Sequence, residues 1–489
     1  VTITNLVVTH LVRPRRIPRL DFSGGIPEEN TTLVAVPILL FTEEQVRQAA
    51  RDLEIRYLAN RDPHLHFALV TDLPDSVEES DGKDTLARLC ASLVEGLNKK
   101  YASRKLGSFF HLHRRRTYNE TERIWMGWER KRGKILDLNN LILNRADHFP
   151  LKVGDLSTLQ RVRFVITVDQ DSQLPRETAR VLAGALAHPL NRAVIDPGTN
   201  QVVEGYTILQ PRVGISFQAG NRTRMAAICS GETGFDIYTH AVSDVYQDLF
   251  GDGIFTGKGI YEVAVFQQVI DGRFPCNSIL SHDLIEGEHA RTGLITDVEI
   301  VDDYPSSVSS YSRRKHRWVR GDWQILLWLF PRVPDASGSM VRNPLRLISR
   351  WKILDNLRRS LTECASFLLL LVIWTLLPGR PLYWTAIVLT VFSLPILLQL
   401  MAAVLRAGPR IFTATFWETT GAGLVDRFSN FAYRMMLLFH QSLVTVDAVI
   451  RSVVRMGVTR RKLLEWETSA QSESRHAKEG VVEFYLNYT

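Results

Sequence analysis

RFVITVDQD, residues 163–171, sets two carboxylates, Asp169 and Asp171, at the end of a short apolar, β-branched run. A run of this kind reads as a strand buried on both faces, which belongs in an α/β sheet with its ligand crevice beyond the strand end. Two acids one residue apart at such an edge suit a hard divalent cation, Mg²⁺ or Mn²⁺, whose shell is completed by phosphate oxygens. An Asp-x-Asp triplet decides nothing alone, so the rest of the chain has to carry the argument.

Outward from that strand, β-branched runs alternate with helical ones. TTLVAVPILL (31–40) and LHFALVTDL (65–73) read as strands, and EEQVRQAARDLEIRYLAN (43–60), TLARLCASLVEGLNKKYA (85–102) and ARVLAGALAHP (179–189) as helices. The alternation predicts a largely parallel α/β sheet. NRAVIDPGTNQVVEGYTILQPRVG (191–214) adds strands joined by a turn at Pro197-Gly198. At 489 residues and 45% hydrophobic content the chain has room for a catalytic domain and a further unit. The net charge of +7 is spread along the chain rather than gathered in a stripe, which argues against nucleic acid as a partner. Cys90, Cys229, Cys276 and Cys364 show no Cys-x-x-Cys spacing, so neither a zinc site nor a disulfide framework is expected. The chain opens at Val1 without a basic-apolar-small leader, as a piece of a longer protein would.

The character changes at Pro344. PLRLISRWKILDNLRRS (344–360) puts Leu345, Ile348, Trp351, Leu354 and Leu357 on one helical stripe, with Arg350, Lys352, Arg358 and Arg359 largely elsewhere, which suits a helix lying in a membrane interface. Apolar runs at 366–377 and 383–405 follow, separated by a few residues and flanked by Arg358, Arg359, Arg406 and Arg410. They read as a transmembrane hairpin with both outer ends, and the preceding domain, in the cytoplasm. Residues 431–456 are apolar but interrupted by Arg434, His440, Gln441, Asp447 and Arg451, so they read equally as a span or as an interfacial, protein-packed helix.

Further acids and bases follow in order. HDLIEGE (282–288) offers Asp283, Glu286 and Glu288, although Asp283 equally suits the first turn of a helix. RRKHRWVRGDWQ (313–324) pairs Arg317 with Trp318. His111-Leu112-His113, followed by Arg114-Arg115-Arg116, reads as a solvated basic segment rather than a metal site, since three arginines disfavour a bound cation.

Taken together, residues 33–405 resemble the membrane-embedded, processive family 2-type glycosyltransferases of the cellulose synthase kind, with the pattern D, D-x-D, T-E-D, Q-x-x-R-W. The variants TVDQDSQ, SHDLIEG and RRKHRWVRGDWQ more closely resemble the glycosyltransferase domain of cyclic β-1,2-glucan synthases. The resemblance implies an α/β, GT-A (Rossmann-like) nucleotide-sugar transferase domain followed by interfacial and transmembrane helices. It implies a basic lead-in from an upstream membrane region at 1–30, the cytoplasmic GT-A domain at 31–343 and the interfacial helix at 344–360. The hairpin then takes 361–406, further membrane or interfacial helices 407–462, and a polar tail or linker 463–489.

Residue by residue, Asp72 falls at the first family Asp and is implied to bind uridine nucleotide. Asp169 and Asp171 match D-x-D, with Asp171 the metal ligand and Asp169 nearer the donor diphosphate or sugar. Asp283 matches the last residue of T-E-D and is implied as general base. Arg317 is implied to contact diphosphate and Trp318 to stack on the acceptor sugar. Arg314 departs from the pattern, standing where the family has Gln. Lys131 in KRGK resembles the lysine of a K-x-G nucleotide motif, with Lys134 at its usual Asn position. Gln210 falls in the substrate segment after D-x-D. Thr256, Gly257 and Lys258 fall in a Gly-rich turn that lines the acceptor sugar, although such a turn is also an ordinary flexible loop.

The implied reaction is inverting transfer of glucose from UDP-glucose to the 2-hydroxyl of a growing β-1,2-glucan, with Mg²⁺ or Mn²⁺, at the cytoplasmic face of the inner membrane. The implied partners are UDP-glucose, a β-glucan acceptor that grows on the protein itself, membrane lipid and a glycoside-phosphorylase-like domain in the longer protein. The alternatives are a synthase of another β-glucan from a UDP-sugar, a glycoside hydrolase using two carboxylates, and a catalytically silent membrane scaffold.

Overall fold

The computed structural model describes residues 8, 11–79, 82, 84–104, 106–230 and 244–465. Most of the expected polar tail, and the first part of the basic lead-in, lie outside the described residues. One eight-stranded sheet organises the chain: β1 (Thr32–Leu39), β2 (Leu65–Asp72), β3 (Phe109–His113), β4 (Leu151–Val153), β5 (Phe164–Thr167), β6 (Ile208–Ile215), β7 (Gly259–Glu262) and β8 (Thr292–Asp302). Their order across the sheet is β8-β6-β7-β5-β1-β2-β3-β4. The pairs β1/β2, β1/β5, β2/β3 and β6/β8 are parallel. The short strand β7 runs antiparallel to β5 and β6, and β4 runs antiparallel to β3.

The period of two along a strand sorts side chains between the faces. Val34, Val36, Ile38, Phe67 and Leu69 enter one core with the helices Glu43–Ala59, Asp84–Tyr101 and Thr178–Ala187. Leu33, Ala35, Ala68 and Val70 enter the other with Arg130–Ile142, Val263–Ile270 and Asp283–Ala290. The result is a mixed, mostly parallel sheet between two helical layers, as the alternation of runs predicts. The turn at Pro197-Gly198 joins the hairpin Val194–Asp196 and Gln201–Glu204.

One expectation fails here. The segment after Ser108 is not a solvated basic stretch: it is β3, one strand in from the sheet edge, with His111, His113 and Arg114 buried. Thr71 Oγ1 lies 2.9 Å from His111 Nε2 and 2.8 Å from His113 Nδ1. Burial drives His111 down to about 3 and His113 to about 4, so both are neutral imidazoles joined through one hydroxyl. The Gly-rich turn leads directly into a strand, β7.

Among the described residues no single helix is long and apolar enough to cross a membrane. The first arm of the expected hairpin is Thr362–Thr375, and the second bends by 55° between Pro381–Leu394 and Ile396–Leu405. The break falls at Pro395, which has no N–H to bond the preceding turn. A second bent pair, Ala414–Met436 with Leu438–Thr459, turns by 59°. The helix Leu347–Ser360 divides its faces in an unusual sense. Leu347, Trp351 and Leu354 point outward, whereas Lys352, Asp355 and Ile353 are buried.

Candidate active site

Strands β1, β2, β5, β6 and β8 end on the same edge of the sheet, and β7, running the other way, begins there. That edge therefore collects Asp72 from β2, Asp169 and Asp171 after β5, Lys258 before β7 and Asp302 from β8.

Asp169 holds a lysine on each oxygen: Lys131 Nζ at 2.6 Å from Oδ1 and Lys258 Nζ at 3.2 Å from Oδ2. Lys258 also pairs with the buried Asp302, which accepts from Ser172 Oγ at 2.6 Å. Burial works to raise Asp169, but the two ammonium groups reverse it and hold the group well below the ordinary carboxylate range. At Asp171 the balance has the opposite sign. Burial and the neighbouring Asp169 push it up, and Arg314 Nη2 lies 3.7 Å from its Oδ2. Burial, then Arg314, pull Arg317 down to about 10, while the charges of Asp169 and Asp171 favour its cation. Arg314 also stands 5.4 Å from the centre of the half-exposed Trp318 ring, within cation-π reach.

Asp283 begins the helix Asp283–Ala290, so the first-turn reading describes its place in the chain. Its side chain nevertheless lines a recess with Lys131, Thr167, Gly257, Tyr261, His282 and Glu286. The chain comes close here because residue 257 is glycine, with φ +82°: a Cβ on it would lie 2.8 Å from Asp283 Oδ1. Lys131 Nζ spans both parts of the site, donating to Asp169 and, at 3.0 Å, to the Gly257 carbonyl. Burial raises Asp283, and His282 and Lys131 offset part of the rise. His282 Nδ1 lies 2.8 Å from Glu286 Oε2, and although burial disfavours its cation the carboxylate lifts its pKa overall.

The remaining expected residues separate. Gln210 Oε1 accepts from Thr256 N at 2.6 Å and from Thr256 Oγ1 at 3.1 Å, which pins the loop before β7 to β6. Lys258 stands with the acids Asp169 and Asp302. Asp72 is buried, both oxygens bonded by Arg114 at 2.8 Å, with Lys134 Nζ at 3.2 Å and Asp137 beyond Arg114 at 2.7 Å. Burial would raise Asp72, but Arg114 and Lys134 outweigh it and hold it at about 2. Asp302, Ser172, Arg114 and Glu286 complete these clusters, and of the four only Asp302 lies outside the stretches quoted above. Asp302 carried a usable signal, an acid closing the run TGLITDVEIVD as Asp169 closes RFVITVD.

A divalent ion suits part of this geometry. Asp171 could offer carboxylate oxygen, while Asp169, held by Lys131 and Lys258, would do so only in exchange for one of them. The site thus fits an ion bound by one or two carboxylates and completed by phosphate. Among the described residues, the group of three side chains with mutual ligand spacing is instead His282, Asp283 and Glu286, whose ligand atoms lie within 4.8 Å of one another. There His282 Nδ1 already faces the Glu286 carboxylate at 2.8 Å.

No protein-family model matches the chain. Over 473 residues, 96% of its length, it is 38% identical to the cyclic beta-(1,2)-glucan synthase NdvB of Rhizobium meliloti (strain 1021). The chain is homologous to one stretch of a cyclic β-glucan synthase. It spans 16% of the length of that relative. The resemblance read from SHDLIEG and RRKHRWVRGDWQ is borne out, and the stretch matched is the one that carries all the acidic and Arg-Trp signatures.

Proposed function

We propose that the chain is a GT-A-type glycosyltransferase domain that transfers glucose from UDP-glucose, with inversion, to the 2-hydroxyl of a growing β-1,2-glucan at the cytoplasmic membrane face. The observation that carries the reading is Lys131, which joins Asp169 on the donor side to the wall of the Asp283 recess. An acceptor hydroxyl in that recess loses its proton to the Asp283 carboxylate as its oxygen bonds the anomeric carbon. The bond from that carbon to the diphosphate oxygen breaks, and the electron pair leaves with UDP. Burial makes Asp283 a stronger base than a solvated aspartate, and His282 paired with Glu286 sets the field beside it.

The departing diphosphate is met by Lys131, Lys258, Arg314 and Arg317, cations already placed by the acids around them. Asp171, with Asp169 beside it, would hold Mg²⁺ or Mn²⁺, and such an ion supplies further neutralisation of diphosphate charge. Trp318 offers an aromatic face to the acceptor sugar. Asp72 serves the nucleotide end through the Arg114 and Lys134 cluster it holds. The outward Leu347, Trp351 and Leu354, and exposed apolar side chains such as Leu368, Trp374 and Leu382 on the following helices, support attachment to a bilayer.

The test supplies membranes holding the chain with labelled UDP-glucose and Mg²⁺ or Mn²⁺, and compares wild type with Asp283→Asn. A 1,2-linked glucan from wild type and its loss in the variant are expected. Unchanged synthesis by the variant removes Asp283 as base and leaves Glu286, whereas product from another sugar nucleotide alone removes the donor assignment.

A further inference from the structure

Lys352 is an ammonium group with almost no solvent contact, on the inner face of a helix whose outer face is apolar. Its side chain is 1% exposed, and its partner Glu288, at 2.7 Å, is 2% exposed. Lys352 Nζ also donates to the carbonyl of Gly253 at 2.9 Å and lies 5.3 Å from the centre of the Tyr246 ring. Its two bonds reach the two chain segments that wall the Asp283 recess: Glu288 belongs to the helix Asp283–Ala290, and Gly253 to the loop 251–258.

Those two segments run alongside each other with little tolerance. Gly287 meets Phe255 so closely that a Cβ would lie 2.6 Å from the Phe255 Cβ, and Gly257 meets the Asp283 carboxylate. Gly253 N is bonded in turn to the Thr292 carbonyl at 2.7 Å, which ties the start of the loop to β8. The contacts at Phe255 and Gly257 therefore form a register between loop and helix. Lys352 closes its far end, bridging Gly253 of the loop to Glu288 of the helix.

We propose that Lys352 is a positioning residue for transfer. Paired with Glu288 and bonded to Gly253, it sets the register of the loop against the helix and so the place of Gly257 and Lys131 relative to Asp283. This rests on the reading of Asp283 as the base. Lys352 touches no reacting atom.

Removing one member of a buried ion pair strands the other, whereas replacing both with apolar groups of similar volume commonly leaves folding intact. The test therefore compares the double variant Lys352→Met/Glu288→Leu with wild type in membranes. It reads melting temperature, kcat and KM for UDP-glucose, and amide exchange of residues 253–257. The expected result is near-native melting, kcat lower by about 10-fold for a sub-ångström misplacement, KM within about 2-fold, and faster exchange in the loop. Native kcat together with native exchange overturns the proposal, as does a KM effect with kcat unchanged. Should the double variant not accumulate as folded protein, Lys352→Met/Glu288→Gln, which removes both charges and preserves the shape of residue 288, carries the same comparison. If wild type makes no glucan, the functional reading fails by itself, and unaltered loop exchange in the variant still overturns the register.

Discussion

Gly257→Ala probes the recess with a single methyl group. At φ +82° an alanine pays about 1–2 kcal/mol of backbone strain. Its Cβ would lie 2.8 Å from Asp283 Oδ1 and 3.0 Å from both Cγ and Oδ2, all three inside ordinary contact. The loop has little freedom to retreat. The Gly257 carbonyl accepts from Lys131 at 3.0 Å and from Thr167 Oγ1 at 3.3 Å, and at Gly259 even a Cβ would fall 2.5 Å from the Leu209 carbonyl.

Relief therefore comes from the carboxylate, displaced by roughly 0.5 Å to regain a normal separation. Since a misplacement of about 1 Å can cost 10²-fold, a fall of about 10-fold in kcat is expected. Gly272→Ala is the control, because Gly272 has φ +67° and nothing within 4 Å of a built Cβ. Initial rates of glucose incorporation at saturating UDP-glucose, read beside thermal melts, separate the two effects. Both variants should lose a few degrees, and Gly257→Ala alone should lose rate. Equal losses of kcat in the two variants, or an unchanged kcat in Gly257→Ala, would refute the steric argument.

Burial raises Asp283, and the base acts deprotonated, so the acid limb of the kcat–pH profile should lie above the ordinary aspartate value of about 3.9; a limb at or below that value counts against Asp283. Asp171→Asn should weaken Mn²⁺ binding in the presence of UDP, measured by calorimetry, with melting unchanged, and undiminished binding would send the metal elsewhere. Arg314→Gln removes the cation 3.7 Å from Asp171 and should raise KM for UDP-glucose about 5-fold, the size of a partly exposed charge contact of about 1 kcal/mol; an unchanged KM leaves Arg314 without a donor role. Asp72 is held at about 2, so its contribution to stability is full above about pH 4 and lost as pH falls through 2. The difference in melting temperature between wild type and Asp72→Asn should accordingly narrow from pH 6 to pH 3, and a constant difference would contradict the pairing with Arg114 and Lys134.

The layers of the fold were legible wherever local pattern and burial agree. Runs such as TTLVAVPILL and LHFALVTD carry their own period and fall within one residue of the observed strands. The acids at strand ends were legible too, because a charge that closes an apolar run has few places to go but the sheet edge. Polar residues buried in company were not. HLHRRR looks solvated in isolation, since the partners that make its burial tolerable, Thr71, Asp72 and Asp137, lie on other elements. The burial of Lys352 is hidden for the same reason. A helical wheel assigns it to water, yet Glu288 and the Gly253 carbonyl draw it inward and turn Trp351 and Leu354 outward. Amphipathicity thus located that helix without stating which face meets the protein. Where an apolar stripe stays exposed while a lysine is buried, the pair that holds the lysine carries the more information about the site, because a buried charge persists only where its counter-charge is already fixed.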